Sequence, residues 1–199
     1  MKLERKEQFA KGKRGLVSTA YIGDRKVLLK ERNPSSVVDT IAHEAEMLKA
    51  VNKESIGPLF IAYRDGVLVR EYIDGPEMMD WIPGATKPRI KRALERVIAQ
   101  CRQLDLLGIN KQEMTHPHKH ILMRDDEPVF IDFERARRTE NPKNVTQVCQ
   151  WITGRDMTTL LSAKGIEVPR DAMLAHAKAY KKDHGKPAYE RMLETIRGA

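Results

Sequence analysis

The stretch Val129-Phe130-Ile131-Asp132-Phe133-Glu134-Arg135-Ala136 decides how the rest of this sequence reads. Three apolar residues of strand type lead into one carboxylate, and an aromatic residue follows at once. A carboxylate placed there suits a divalent cation at the floor of a cleft, because a hard ion such as magnesium takes oxygen ligands. A single Asp at a strand end is a common cap, so its companions along the chain matter. Lys30 ends the apolar run Val27-Leu28-Leu29, and Glu44 lies in the helical segment that follows. A strand-ending lysine is most often just exposed, and a helical glutamate most often just solvated. That bland account is much weaker once Lys30, Glu44 and Asp132 occur in this order and spacing.

Around Lys30 the sequence supplies more of the same chemistry. Upstream, Gly12-Lys13-Arg14-Gly15 reads as a tight loop whose backbone approaches a phosphate. The expectation is that Glu44 reaches Lys30 and holds its ammonium toward the α- and β-phosphates of ATP. Glu71-Tyr72-Ile73 closes the segment, where backbone groups of a connecting strand would read an adenine edge.

The element order follows from periodicity and turn residues. Leu16 to Ile22 and Lys26 to Glu31 read as a hairpin around Gly23-Asp24. Asn33-Pro34-Ser35-Ser36 is helix-start chemistry, with Val37, Ile41, Ala45, Leu48 and Val51 at helical spacing behind it and Glu44 one position off that stripe. Two short strands, Leu59 to Tyr63 and Val67 to Tyr72, flank Arg64-Asp65-Gly66. At Asp74-Gly75-Pro76 the composition changes, which divides the chain into an N-lobe of 1–74 and a C-lobe of 75–199. A long helix then runs from Lys87 to Leu107, with Ile90, Leu94, Val97, Ile98, Cys101 and Leu104 as its buried stripe and Gly108 after it. A His-rich segment, strand pieces Ile121–Met123 and Val129–Ile131, and helices from Val145 onward complete the order. The fold class is α+β, sheet-rich first and helical after.

With 199 residues, 41% of them apolar and 32% charged, the chain has the composition of an ordinary globular protein. Its charged start leads into no apolar run, and no stretch approaches the roughly 20 apolar residues that cross a bilayer. The expectation is a cytoplasmic protein with no membrane partner. Cys101 and Cys149 stand among apolar helical neighbours and read as buried free thiols. The formal charge of +8 is carried in clusters, which makes a polyanionic partner worth considering.

In these residues the sequence resembles the protein-kinase-like superfamily, nearest to small RIO-type and other atypical archaeal kinases, over residues 9–140. Lys30 matches the strand lysine, Glu44 the helix glutamate, and Asp132 the metal-binding Asp of Asp-Phe-Gly, with Glu134 in the place of its Gly. The resemblance implies a minimal bilobal fold with no long activation segment, and ATP and Mg2+ as cofactors. The catalytic loop departs from the pattern. Glu113-Met114-Thr115-His116-Pro117-His118-Lys119-His120-Ile121-Leu122 puts Thr115 at the general-base position and His120 at that of the metal-binding Asn. Three readings stay open. His116 or His118 acts as the base. Alternatively Lys119 neutralises the transferred group while His120 orients it, since a loose transition state asks little of a base. In the third, the chain is a pseudokinase that only binds.

The ending Pro117-His118-Lys119-His120, joined to Ile-Asp-Phe-Glu-Arg-Ala, is similar to one archaeal family of RNA kinases. That resemblance implies phosphorylation of a ribose 2′-hydroxyl in the variable loop of tRNA. The alternatives are a serine/threonine protein kinase and an inactive RNA-binding module. Arg14, Arg89, Arg92, Arg137 and Arg138 are the candidate RNA contacts, with Lys178, Lys181 and Lys182 as an extension, and tRNA is the expected partner of a monomer.

Overall fold

A computed structural model describes residues 2–11, 15–35 and 39–199. The phosphate loop expected at Gly12 to Arg14, and with it the RNA contact at Arg14, lies outside the described residues, as do Ser36 and Val37 of the expected helix start. The chain divides into two compact units, Met1–Asp74 with Phe130–Ala136, and Gly75–Val129 with Arg137–Ala199. The segment around Asp132, which the sequence division put in the C-lobe, thus makes its contacts in the first unit.

The first unit is built on one sheet. Its elements are β1 (Glu4–Lys11), β2 (Gly15–Ile22), β3 (Arg25–Arg32), α1 (Ile41–Asn52), β4 (Phe60–Arg64) and β5 (Val67–Glu71). The strands lie in the order β1-β2-β3-β5-β4, each antiparallel to its neighbour. Alternation along β3 divides its side chains between two faces. Val27 and Leu29 join Ala20 and Val69 in an apolar cluster on one face. Leu28 and Lys30 point to the other, and α1 packs against β3, β4 and β5. β3 runs two residues past Lys30, so the lysine stands inside the strand and not at its end.

Two elements differ from expectation. β1 is a strand without apolar alternation over its exposed residues Glu4 to Glu7, and the sequence carries no signal for it. It is an edge strand, where charge blocks further pairing. α1 begins at Ile41, later than the Asn33 signal implied. The Asn33 side chain instead accepts a hydrogen bond from the Ser35 amide, and Asp39 accepts one from the Ile41 amide at the true start.

The second unit is helical. It comprises α2 (Met78–Trp81), α3 (Lys87–Leu106), β6 (Ile109–Asn110), β7 (Ile121–Arg124), β8 (Glu127–Phe130, its last residue in the first unit), β9 (Arg137–Arg138), α4 (Asn144–Ile152), α5 (Arg155–Ser162), α6 (Arg170–Asp183) and α7 (Lys186–Gly198). The stripe of α3, Ile90 through Leu104, is fully buried, as are Val145, Val148 and Cys149 of α4 and Met192 and Ile196 of α7. One polar node sits in this core. Asp105 accepts from the Asn144 amide and side chain and from the Val145 amide, which anchors the start of α4. Among the described residues no helix is long and apolar enough to cross a membrane.

Candidate functional site

Three segments distant in sequence converge in the first unit. β3 delivers Lys30 on the face that α1 covers. α1 buries Glu44 beside Ile41, Ala45 and Leu48. The segment Phe130–Ala136 delivers Asp132 and Glu134 while burying Phe130, Phe133 and Ala136. The Lys30 Nζ stands 2.6 Å from Glu44 Oε2, 3.1 Å from Asp132 Oδ1 and 3.4 Å from Glu134 Oε2. Side-chain exposure is 10% for Lys30, 2% for Glu44, 35% for Asp132 and 16% for Glu134, so the cluster grades from core to solvent.

Local packing explains how the second and third carboxylates arrive. Phe133 presses on Gly57, where a Cβ would stand 2.9 Å from its ring, and Gly57 takes φ +79°. His43 hydrogen-bonds to the Ala136 carbonyl, and Thr40 Oγ1 donates to Glu134 Oε2 at 3.4 Å. Asp132 itself adopts φ +61°, a left-handed conformation that Asp tolerates better than most residues. Gly15, expected to approach a phosphate, opens β2 beside Lys30, and a Cβ there would stand 3.3 Å from Lys30 Cε.

Burial opposes the charge on Lys30, but Glu44, then Asp132 and Glu134, outweigh it and hold the ammonium protonated well above the ordinary lysine range. Arg70 lies on the same sheet face, since Leu28 pairs with Arg70 and Lys30 with Leu68. Burial lowers its pKa, and Glu44 and Asp132 partly offset that. Ligand oxygens of Glu44, Asp132 and Glu134 all lie within 4.8 Å of one another, a spacing that one cation could bridge. The site therefore combines a fixed ammonium, suited to anionic oxygens, with carboxylates suited to a hard cation.

The remaining expected residues lie elsewhere. Glu71 accepts from the Leu59 amide and faces Arg25 at 3.7 Å, and Ile73 is buried. In the second unit, His120 Nε2 lies 3.8 Å from Glu113 Oε2. The His116 and His118 rings are 6.1 Å apart, His118 contacts the Met79 sulfur, and Lys119 and His116 are exposed. Arg89 is held by Asp126 and lies over Trp81, while Arg92, Arg137 and Arg138 are exposed. Sequence reasoning missed Glu134 and Arg70 as members of the cluster, and Glu113 as the partner of His120. Glu134 follows Asp132 with the apolar Phe133 between them, and that polar–apolar–polar alternation is the available signal.

The chain is an α+β protein with a β-rich N-terminal sheet, a helical C-terminal part, and a lysine–carboxylate cluster in the first unit. No family model matches it. It is 26% identical over 115 residues to the uncharacterized protein MJ1211 of Methanocaldococcus jannaschii, a match that takes in 56% of this chain and 98% of that protein.

Proposed function

We propose that the chain is an ATP- and magnesium-dependent kinase with a minimal protein-kinase-like fold. It transfers the γ-phosphate to RNA, at a ribose 2′-hydroxyl of a nucleotide in the variable loop of tRNA. The observation that carries this reading is the clasp of Lys30 by Glu44 and Asp132 from three separate segments. One ammonium faces three carboxylates, so the cluster has a formal excess of negative charge. A bare triphosphate would meet repulsion there. A triphosphate that brings its own cation fits, because Lys30 takes phosphate oxygens while Asp132 and Glu134 take the metal.

In this reading Glu44 fixes the position of the Lys30 ammonium on the α- and β-phosphates. Magnesium, when bound, would neutralise charge between the β- and γ-phosphates. The γ-phosphorus–oxygen bond to ADP breaks, a bond to the 2′-oxygen forms, and ADP leaves. The hydroxyl proton passes to water.

A second reading, an inactive nucleotide- or RNA-binding module, draws on one observation. The loop between β6 and β7 holds no aspartate, and its carboxylate, Glu113, is engaged with His120. Incubation with γ-labelled ATP and magnesium, offering tRNA, a generic protein or nothing, separates the readings. Protease-resistant label in tRNA is expected. Label confined to protein would make the chain a protein kinase, and no label at all would favour the binding module. Asp132→Ala should abolish transfer and leave the far-UV spectrum unchanged, because this half-exposed side chain adds little packing. Normal transfer by that variant refutes the metal role.

A further inference from the structure

Three cavities of the second unit share lining residues and join into one trough. A cavity of about 500 Å³ opens between His116, His118 and the start of α5. A second, of about 360 Å³, shares Thr115, Gln150 and Leu174 with the first, and a third, of about 440 Å³, shares Lys143 and Gln147 with the second. Six cations line this continuous wall: Arg137, Lys143, Lys178, Lys181, Arg155 and Arg170. All six are exposed, and among the described residues that line these three cavities Glu113 and Asp156 carry the opposing negative charge. Arg170 is braced by donating to the Thr153 carbonyl at 2.6 Å.

Charge and shape together select the occupant. A row of cations along a concave track fits a polyanion whose charges are spaced along one strand. The cavity beside α5 adds planar and apolar walls, from His116, His118, Trp151 and Leu174, of the kind on which an unstacked base rests. A duplex keeps its bases stacked inside and presents phosphates on a convex surface, so it could not fill these cavities. An acidic peptide would satisfy the cations and leave the imidazole and indole walls without a planar partner.

We propose that this trough binds a single-stranded segment of RNA, with phosphates along the six cations and one base in the cavity beside His116 and His118. The choice of RNA rests on the kinase reading above, and the proposal adds the face that holds the acceptor and its single-stranded form. It also moves the binding surface away from Arg89, which Asp126 and Trp81 hold.

Anisotropy of a short fluorescent oligouridylate, without ATP, tests it. The full chain should bind, and Lys178→Glu with Lys181→Glu should weaken binding about tenfold and flatten the salt slope by about 1.4, at ~0.7 per phosphate contact on a single strand. Arg155→Gln should weaken it less and in the same direction. A control reversing two exposed charges of the first unit, Lys53→Glu with Arg64→Glu, should have a clearly smaller effect. Equal losses from the two pairs, or equal binding of duplex RNA or polyglutamate, overturn the proposal. If ATP labelling of tRNA fails while this binding pattern holds, the kinase reading falls and the trough stands. If labelling of tRNA is undiminished in the trough pair, the trough falls and the kinase reading stands.

Discussion

Replacing Lys30 by methionine removes the ammonium and keeps most of the length and apolar stem. The cost depends on which carboxylate is stranded. Removing one partner of a buried ion pair costs about 3–5 kcal/mol, because an uncompensated charge stays behind, whereas an exposed pair contributes ~0–1 kcal/mol. Glu44, 2.6 Å away and 2% exposed, belongs to the first case; Asp132, 35% exposed, lies near the second. Lys30→Met should therefore lose about 3 kcal/mol, nearly all of it through Glu44. Adding Glu44→Met removes the stranded charge and should recover most of the loss, a coupling of about 2 kcal/mol or more. Urea unfolding of the four proteins at about pH 7 measures this. Lys30 itself does not confuse that comparison. Its folded pKa is raised above the ordinary 10.5, so its contribution is fully present below that pH and is lost only as pH rises through the folded value. A loss under ~0.5 kcal/mol, or a coupling near zero, would mean that Lys30 and Glu44 form no clamp.

Further outcomes follow from the same geometry. Magnesium alone should raise the melting temperature of Lys30→Met more than that of wild type, since the three carboxylates no longer share their charge with an ammonium; equal shifts would remove them as ligands. Asn144→Ala strips two donated bonds, to Asp105 and the Ile109 carbonyl, and one accepted from the Lys111 amide, all buried. The expected loss is about 3 kcal/mol by urea unfolding, and a loss below ~1 kcal/mol would contradict a structural role for the node. Burial pushes the Cys149 thiol up to about 12, with Asp105 adding to it, and burial raises Cys101 well above its ordinary value. Iodoacetamide at about pH 8 should spare both thiols in the folded chain and label both in urea. The stability tied to the neutral Cys149 is present below pH 9.0 and declines as pH rises from there toward 12.

The helices were legible because burial writes a period into sequence. Ile90, Leu94, Val97, Ile98, Cys101 and Leu104 recur at the spacing of one helix face, and all are fully buried. β1 had no such mark, because an edge strand with exposed Glu4 to Glu7 is held by backbone bonds to β2 and not by an apolar face. Asn33 misled because the same side chain that caps a helix also closes a local turn, and here it closes the turn. Within the site, Lys30, Glu44 and Asp132 were identifiable together, because each alone is common in its setting and the three in that order and spacing are not. Arg70 was not, since its place beside Lys30 depends on the pairing register of β3 with β5, which no local pattern states.

The charged groups meet because apolar residues hold them there. Four charges within a few ångströms have no single preferred arrangement of their own, and the cost of taking Lys30 and Glu44 out of water offsets much of their attraction. Phe130, Phe133 and Ala136 are at most 1% exposed, and they seat the segment between which Asp132 and Glu134 project. Gly57 sets the depth of that seat, with its absent Cβ leaving room for the Phe133 ring and the Phe130 carbonyl at 3.3 Å. Asp132 is held in the left-handed region, at a cost of about 1–2 kcal/mol for a residue with a Cβ. Such a conformation persists only where the structure on both sides determines it, and two buried phenylalanines do that here. Packing therefore comes first in the physical order. It places a carboxylate 102 positions from Lys30 within hydrogen-bond reach of it, and the electrostatics of the cluster follow from that placement.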